Sequence, residues 1–265
     1  MEPFSVETKD HVAWLTLDNP DKRNIMGESF FTGLKNHFDR FHEDPEVRVV
    51  VIKAAGKSFT AGLDLMEAGS LVADKSASGR VRLRQNIEKI QESMNAIERC
   101  CKPVIAAVHS HCIGGGVDMI SACDVRMASE DAVFAIRETK IAIIADIGTL
   151  QRLPHIIGQA WTSELALSGR DFTAAEAKEI GLITRLCGSR ESLYLEASAL
   201  AAEIAENAPL TVQGIKEVLL FNRDHGVYPG LKYVAQRNAA EIISDDLMEA
   251  FTAFLEKRKP EFKGN

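Results

Sequence analysis

Three acids and a run of glycine are the residues of this chain best suited to chemistry. Gly114, Gly115 and Gly116 follow Cys112 and Ile113, Asp118 comes two residues later, and Glu138 and Asp146 lie downstream. Adjacent glycines leave the backbone bare, so main-chain N–H groups can approach a ligand closely. A helix starting there would aim its unpaired N–H groups and positive dipole end at an anion or a developing oxyanion. Electrophilic N–H donors beside carboxylates are what proton transfer next to a polarised carbonyl requires. The pattern points to an enzyme.

A second motif runs from Gly56 through Lys57, Ser58, Phe59, Thr60, Ala61, Gly62, Leu63 and Asp64 to Leu65. The small residues Ala61 and Gly62 permit a tight turn that frees the next N–H to face a pocket. The same residues also fit a plain strand-to-helix turn with Asp64 as N-cap. The acids have structural alternatives too. Asp118 suits the first turn of a helix, Glu138 a solvated strand end, and Asp146 the N-cap of a helix running toward Leu153. Yet Asp146 follows the apolar stretch Ile141 to Ala145, where a buried carboxylate needs a reason.

The elements that must position these residues are legible in outline. His11 to Leu17 alternates like a strand and ends at Asp18-Asn19-Pro20. Val47 to Lys53 is nearly continuous β-branched sequence, predicting a strand buried on both faces. Leu83, Ile87, Ile90, Met94 and Ile97 recur at helical spacing, predicting an amphipathic helix over Arg80 to Arg99 that Pro103 stops. Pro103 to Val108 is the next buried strand; Val125 to Met127 and Val133 to Ile136 are two more. Alternating strands and helices imply α/β architecture with crossovers. From about Ser192 onward the strand signals vanish. Tyr194 to Glu206 reads as helix, Pro209 and Gly214 as interruptions, and Asp245 to Lys259 as a terminal amphipathic helix. The expected division is a core at 1–191 and a helical region at 192–265.

Composition sets bounds. The chain has 265 residues, 46% hydrophobic and 26% charged, within the globular range and long enough for a sizeable core. A formal charge of −7 argues against nucleic acid as the main partner. Five cysteines without a CxxC pair read as reduced thiols, and no apolar run approaches a membrane span. The first residues lack the apolar core of a secretory signal, and Lys263-Gly264-Asn265 is not a peroxisomal address. A cytoplasmic location is the expectation. The seven histidines show no metal-ligand spacing, so no catalytic metal is expected. His109, Ser110 and His111 beside Cys112 invite a nucleophile reading, but a small thiol packed in a turn fits better.

Together the two motifs resemble the enoyl-CoA hydratase/isomerase (crotonase) superfamily over nearly the whole chain. Besides Gly56 to Leu65 and Ile113 to Asp118, the matching pieces are Lys102 to Val108, Ala122-Cys123-Asp124-Val125-Arg126, and Gly148 to Pro154. The resemblance implies a spiral of ββα units and a helical C-terminal trimerisation region, assembling as a homotrimer or a dimer of trimers. It implies an acyl-CoA thioester substrate with no further cofactor, the coenzyme A being part of the substrate. The thioester oxygen is then held by the backbone N–H groups of Leu63 and Gly115. Ala61, Gly62, Asp64, Leu65 and Gly114 line the substrate, and Lys22 and Arg23 match the adenine-side loop, although a solvated turn explains them equally. Lys259 matches C-terminal tails that reach the CoA phosphates, sometimes on a neighbouring subunit; a helix C-terminus with favourable cations explains it as well.

Within that superfamily the acids choose the reaction. Hydratases carry two glutamates, matched here by Asp118 and Glu138, and then a glycine-rich stretch where this chain has Asp146. The triple Asp118, Glu138, Asp146 resembles the Δ3,5-Δ2,4-dienoyl-CoA isomerases, as do Phe59 to Met66, Ile97 to Cys100, Cys112 to Asp118 and Ala145 to Pro154. Such a reaction removes a proton from C2 and adds one at C6. Glu138 is assigned to C2 and Asp146 to C6, the reverse assignment remaining open. Asp118 is expected to stay ionised or to orient and tune its neighbours. Three close carboxylates cannot all ionise cheaply, so at least one pKa should be raised. The competing readings are a hydratase or another acyl-CoA isomerase, and a non-catalytic acyl-CoA- or RNA-binding member of the fold.

Overall fold

A computed structural model describes residues 3–71 and 73–265. The main sheet has the order β1-β2-β3-β4-β6-β9. Its strands are β1 (Phe4–Lys9), β2 (Val12–Leu17), β3 (Val49–Ala54), β4 (Val104–Val108), β6 (Val125–Ser129) and β9 (Arg185–Cys187). Only the β1–β2 pairing is antiparallel; from β2 onward neighbours run parallel, with Val12 opposite Val49, Val50 opposite Val104 and Ile105 opposite Val125. Parallel strands covered on both faces become continuous apolar runs, which is why β3 (VVVIKA) and β4 (VIAAV) bury nearly every residue. A smaller sheet places β7 (Val133–Ala135) between β5 (His111–Ile113) and β8 (Asp171–Thr173).

Helices cover both faces of the main sheet. On one side α1 (Glu28–Glu43) buries Phe30, Phe31, Leu34, Phe38 and Phe41, alongside Met94 and Ile97 of α3 (Ala77–Arg99). Ser76 caps α3 by accepting from Gly79 N. On the other side α7 (Arg190–Ala205) lays Leu193, Ala197, Ala201 and Ala205 over Val49, Val51, Ile105 and Met127. Alanines at four-residue spacing bring that helix close to the strands. It is therefore a layer of the core, and the expected division between 191 and 192 falls inside it.

Between these layers lie α2 (Leu65–Leu71), α4 (Gly115–Ser121), α5 (Thr149–Ser168, kinked at Gly158) and α6 (Ala174–Glu179). The chain ends in α8 (Pro209–His225), α9 (Val227–Glu241) and α10 (Asp245–Glu256). Pro209 does mark a boundary, as the first residue of α8. Gly214 does not interrupt: it is buried inside α8 and faces Glu241 and Arg237 of α9, where a Cβ would make only ordinary contacts. The terminal helix ends at Glu256, with Lys257 in the left-handed region as its C-cap, short of the expected Lys259.

Candidate active site

Three turns leave the carboxyl ends of β2, β3 and β4, where ligands of open α/β sheets characteristically bind. Backbone bonds tie them into one unit. Asn24, 1% exposed, donates to the carbonyls of Ala55, Ser58 and Phe59 at 3.0, 3.0 and 3.2 Å. Ala61 N donates to Arg23 O (3.0 Å), Met26 N to Gly62 O (2.8 Å) and Asp64 N to Met26 O (2.9 Å). Thr60 N donates to His111 O and Ile113 N to Thr60 O, joining the second turn to the third. The Thr60 hydroxyl donates to Asn24 O at 2.7 Å and accepts from Gly62 N at 3.0 Å. This pairing skips Leu63 N, and Gly115 N is the first N–H of α4. Among the described residues neither donor has a backbone acceptor.

Two glycines hold this geometry. Gly62 has φ +86° and is so close to the third turn that a Cβ would lie 2.7 Å from Ile113 O. Gly114 has φ +53° and ψ −116°, open to glycine alone, and a Cβ there would sit 3.2 Å from Glu138 Oε1. The Glu138 carboxyl therefore lies against the glycine turn that presents Gly115 N.

All three acids converge, each from a different piece of chain. Glu138 opens a short 3-10 turn and is partly buried; its Oε2 is buried with no hydrogen-bond partner. Burial raises its pKa, and the charge of Asp146 adds to the shift. Burial likewise raises Asp146. Asp118, in α4, is fully buried. Its Oδ1 accepts from Thr149 N, the first N–H of α5, at 2.6 Å, while Oδ2 has no partner. Burial first, then Glu138, lift Asp118 to about 7, against the opposing Thr149 bond. Of the two expectations for Asp118, ionised or tuning its neighbours, a pKa lifted to about 7 beside Glu138 favours the second. Asp146 does not cap α5: the N-cap is Gly148, and the carboxylate on that helix end belongs to Asp118.

Other residues fall into two groups. Ala61, Gly62, Leu65 and Gly114 lie on or beside the stitched turns, and the exposed Lys22 and Arg23 occupy the turn bonded to Ala61. The Asp64 side chain caps α2, Oδ1 accepting from Met66 N at 3.0 Å. Lys259 is not brought to the site of its own chain. It pairs with Glu206 at 2.5 Å, just past the end of α7, where Arg48 before β3 also binds Ala205 O and Phe262 O. That is the opposite end of the sheet. Cys112 is buried with its thiol pushed far above the ordinary value, and His109 is held between Gly56 O and the Tyr194 hydroxyl. Neither is placed as a nucleophile pair. Asn24 carried no sequence signal, and Thr60, Thr149 and Arg152 lie within the quoted motifs without a role there, because their roles arise from long-range contacts.

The profile of the family described as enoyl-CoA hydratase/isomerase matches residues 7–265. This chain belongs to the enoyl-CoA hydratase/isomerase family. It is 44% identical over 268 residues to the peroxisomal Delta(3,5)-Delta(2,4)-dienoyl-CoA isomerase of Arabidopsis thaliana, covering 99% of this chain and 96% of that protein. It is 43% identical to the mitochondrial Delta(3,5)-Delta(2,4)-dienoyl-CoA isomerase of Homo sapiens, covering 94% and 77%. The crystal structure of an enoyl-CoA hydratase from Bacillus anthracis superimposes with a TM-score of 0.92 at 32% identity, covering 99% and 100%.

The burial of Asp118 carries a stability consequence. The folded chain keeps a proton that the unfolded chain releases between the ordinary aspartate value of 3.8 and about 7. Stability therefore falls as pH rises through that window, by about 4 kcal/mol from this group, and is level above it. Asp118→Asn is expected to flatten that fall in urea midpoints taken from about pH 4 to pH 8. An identical slope in the variant would place the ionisation elsewhere.

Proposed function

We propose that this chain is a dienoyl-CoA isomerase, converting 3,5-dienoyl-CoA to 2,4-dienoyl-CoA. The observation that carries the reading is the convergence of Glu138 and Asp146, from separate segments, beside the turn that presents Gly115 N. The names of the relatives support it. In the proposed mechanism the N–H groups of Leu63 and Gly115 hold the thioester oxygen, and such a donor contributes about 3–4 kcal/mol in comparable sites. Glu138 takes the C2 proton, the C2–H electron pair becomes the C1=C2 bond of a dienolate, and the C1=O π pair moves onto the thioester oxygen. On collapse C1=O re-forms, the double bonds shift to C2=C3 and C4=C5, and the C5=C6 pair takes the proton of Asp146 at C6. Glu138 ends protonated and Asp146 ionised, and exchange with solvent or between the two restores the starting state. Raised pKa values suit both tasks, since a neutral acid must stand beside an ionised base. Asp118 contributes by coupling its own proton to theirs. No metal or separate cofactor enters this scheme.

Following growth of the 2,4-dienoyl absorbance from a 3,5-dienoyl-CoA, with 2-enoyl-CoA hydration measured in parallel, tests the reading. Rapid isomerisation with little hydration is expected. Hydration without isomerisation would favour the hydratase reading, for which retention of Glu138 is the one specific observation. Thioester binding without turnover would favour a non-catalytic role.

Assembly as a homotrimer or dimer of trimers is part of the proposal. Leu219 on α8, Leu231 on α9, and Met248, Phe251 and Phe254 on α10 are exposed apolar residues, and apolar area on this scale marks contact surfaces. A cytoplasmic location rests on the free cysteines; the relatives named above are peroxisomal and mitochondrial, and cell fractionation distinguishes the three. Among the described residues no helix is long and apolar enough to cross a membrane.

A further inference from the structure

Helix α3 carries Gln91, Asn95 and Glu98 at four- and three-residue spacing, so all three share one face. Gln91 Nε2 donates to the main-chain carbonyl of Asp146 at 2.6 Å. Asn95 Oδ1 accepts from Arg152 Nη2 at 2.8 Å, and the Glu98 carboxylate accepts from Arg152 Nε and Nη2 at 3.2 and 3.3 Å. Arg223 of α8 pairs with the same carboxylate. The Arg152 guanidinium lies against Gly148, where any Cβ would overlap it. One polar stripe thus grips both Asp146 and the glycine two residues on.

The segment that bears Asp146 has little order of its own. Residues 143–146 form no helix or strand, Ala142 and Gly148 at its ends have φ +60° and +133°, and Ile143 and Ile144 are exposed. A carboxyl on such a segment is placed only as well as its backbone is held. We propose that Gln91 is a positioning residue for Asp146, fixing its peptide so that the carboxyl stands at C6, with the Glu98–Arg152 pair anchoring the far end of the segment. The inference rests on reading Asp146 as the C6 proton donor. Gln91 itself gains and loses no proton.

The consequence is a partition. When Asp146 is misplaced, the dienolate waits longer for its C6 proton, and protonated Glu138 more often returns its proton to C2. In deuterium oxide, where protonated Glu138 exchanges with solvent before it returns the proton, that return appears as deuterium at C2 of recovered 3,5-dienoyl-CoA. The experiment compares wild type, Gln91→Leu and Gln91→Glu by kcat, KM and the ratio of C2 exchange to product. Gln91→Glu keeps the shape and replaces the donor with an acceptor. Both variants are expected to lose about tenfold or more in kcat, with KM unchanged and the exchange-to-product ratio raised in step. A wild-type ratio in both variants, whatever happens to kcat, overturns the inference, because a packing role would not move it. Asp146→Asn in the same assay separates the two layers. Full isomerisation by that variant overturns the C6 assignment itself, whereas its loss beside a normal Gln91→Glu ratio removes only the role of Gln91.

Discussion

Asp146→Asn is expected to slow formation of the 2,4-dienoyl thioester by about 10²–10⁴-fold while leaving proton exchange at C2 running. The substitution is isosteric and removes only the transferable proton, so the segment that carries it keeps its shape. Glu138→Gln, by contrast, is expected to stop exchange and product formation together by a comparable factor, because C2 deprotonation comes first. The pair of variants assigns the two ends of the diene. If Asp146→Asn abolishes C2 exchange and Glu138→Gln spares it, the roles are reversed. Both variants should melt near or above wild type, since each removes a carboxyl whose ionisation burial disfavours.

Gly62→Ala is expected to disable the enzyme without touching an acid. Its φ of +86° disfavours any side chain, and the new Cβ would lie 2.7 Å from Ile113 O. That oxygen cannot swing aside as a flexible side chain would, because its own peptide is held by the bond from Gly114 N to Ala135 O at 2.8 Å. The backbone must move instead, taking the N–H of Leu63 with it. A loss of about 10²–10³-fold in kcat follows if that N–H polarises the thioester, with about 1–3 kcal/mol of stability lost to strain. Gly69→Ala, in α2 with nothing within 4 Å of a new Cβ, is the matched control and should leave rate and urea midpoint unchanged. A Gly62→Ala enzyme with a normal rate would remove Leu63 from the oxygen-binding pair.

Legibility in the sequence followed the range of the forces involved. β3, β4 and α3 were readable because their patterns are local: continuous β-branched runs, and apolar residues at helical spacing from Leu83 to Ile97. Helix α1 offered a comparable signal in Phe30, Phe31, Leu34, Phe38 and Phe41 that the sequence reading passed over. The three-residue strands β5, β8 and β9 had no such signal, since pairings such as Cys112 with Phe134 and Met127 with Arg185 are what make them strands. Gly214 was misread because a glycine that breaks a helix and one carried inside it look alike in one dimension. At the site the acids were found by their motifs. That at least one of their pKa values is raised was readable too, but not what sets Asp118: the bond to it from Thr149 N spans 31 positions, and it gave to Asp118 the capping task that local pattern offered to Asp146. The stripe Gln91, Asn95, Glu98 was visible as helical spacing, but nothing local named Asp146 and Arg152 as its partners.

The groups proposed to grip the thioester belong to the main chain, and the acids sit on three separate segments: α4, a 3-10 turn and an irregular stretch. Heredity therefore acts on the two halves of the site by different rules. Of all point mutations only one to proline deletes a peptide N–H, whereas any one acid can be exchanged with the stitched turns left intact. A lineage can thus rewrite which carbon gains or loses a proton and still recognise the same class of thioester, so relatives with different reactions can share this backbone closely.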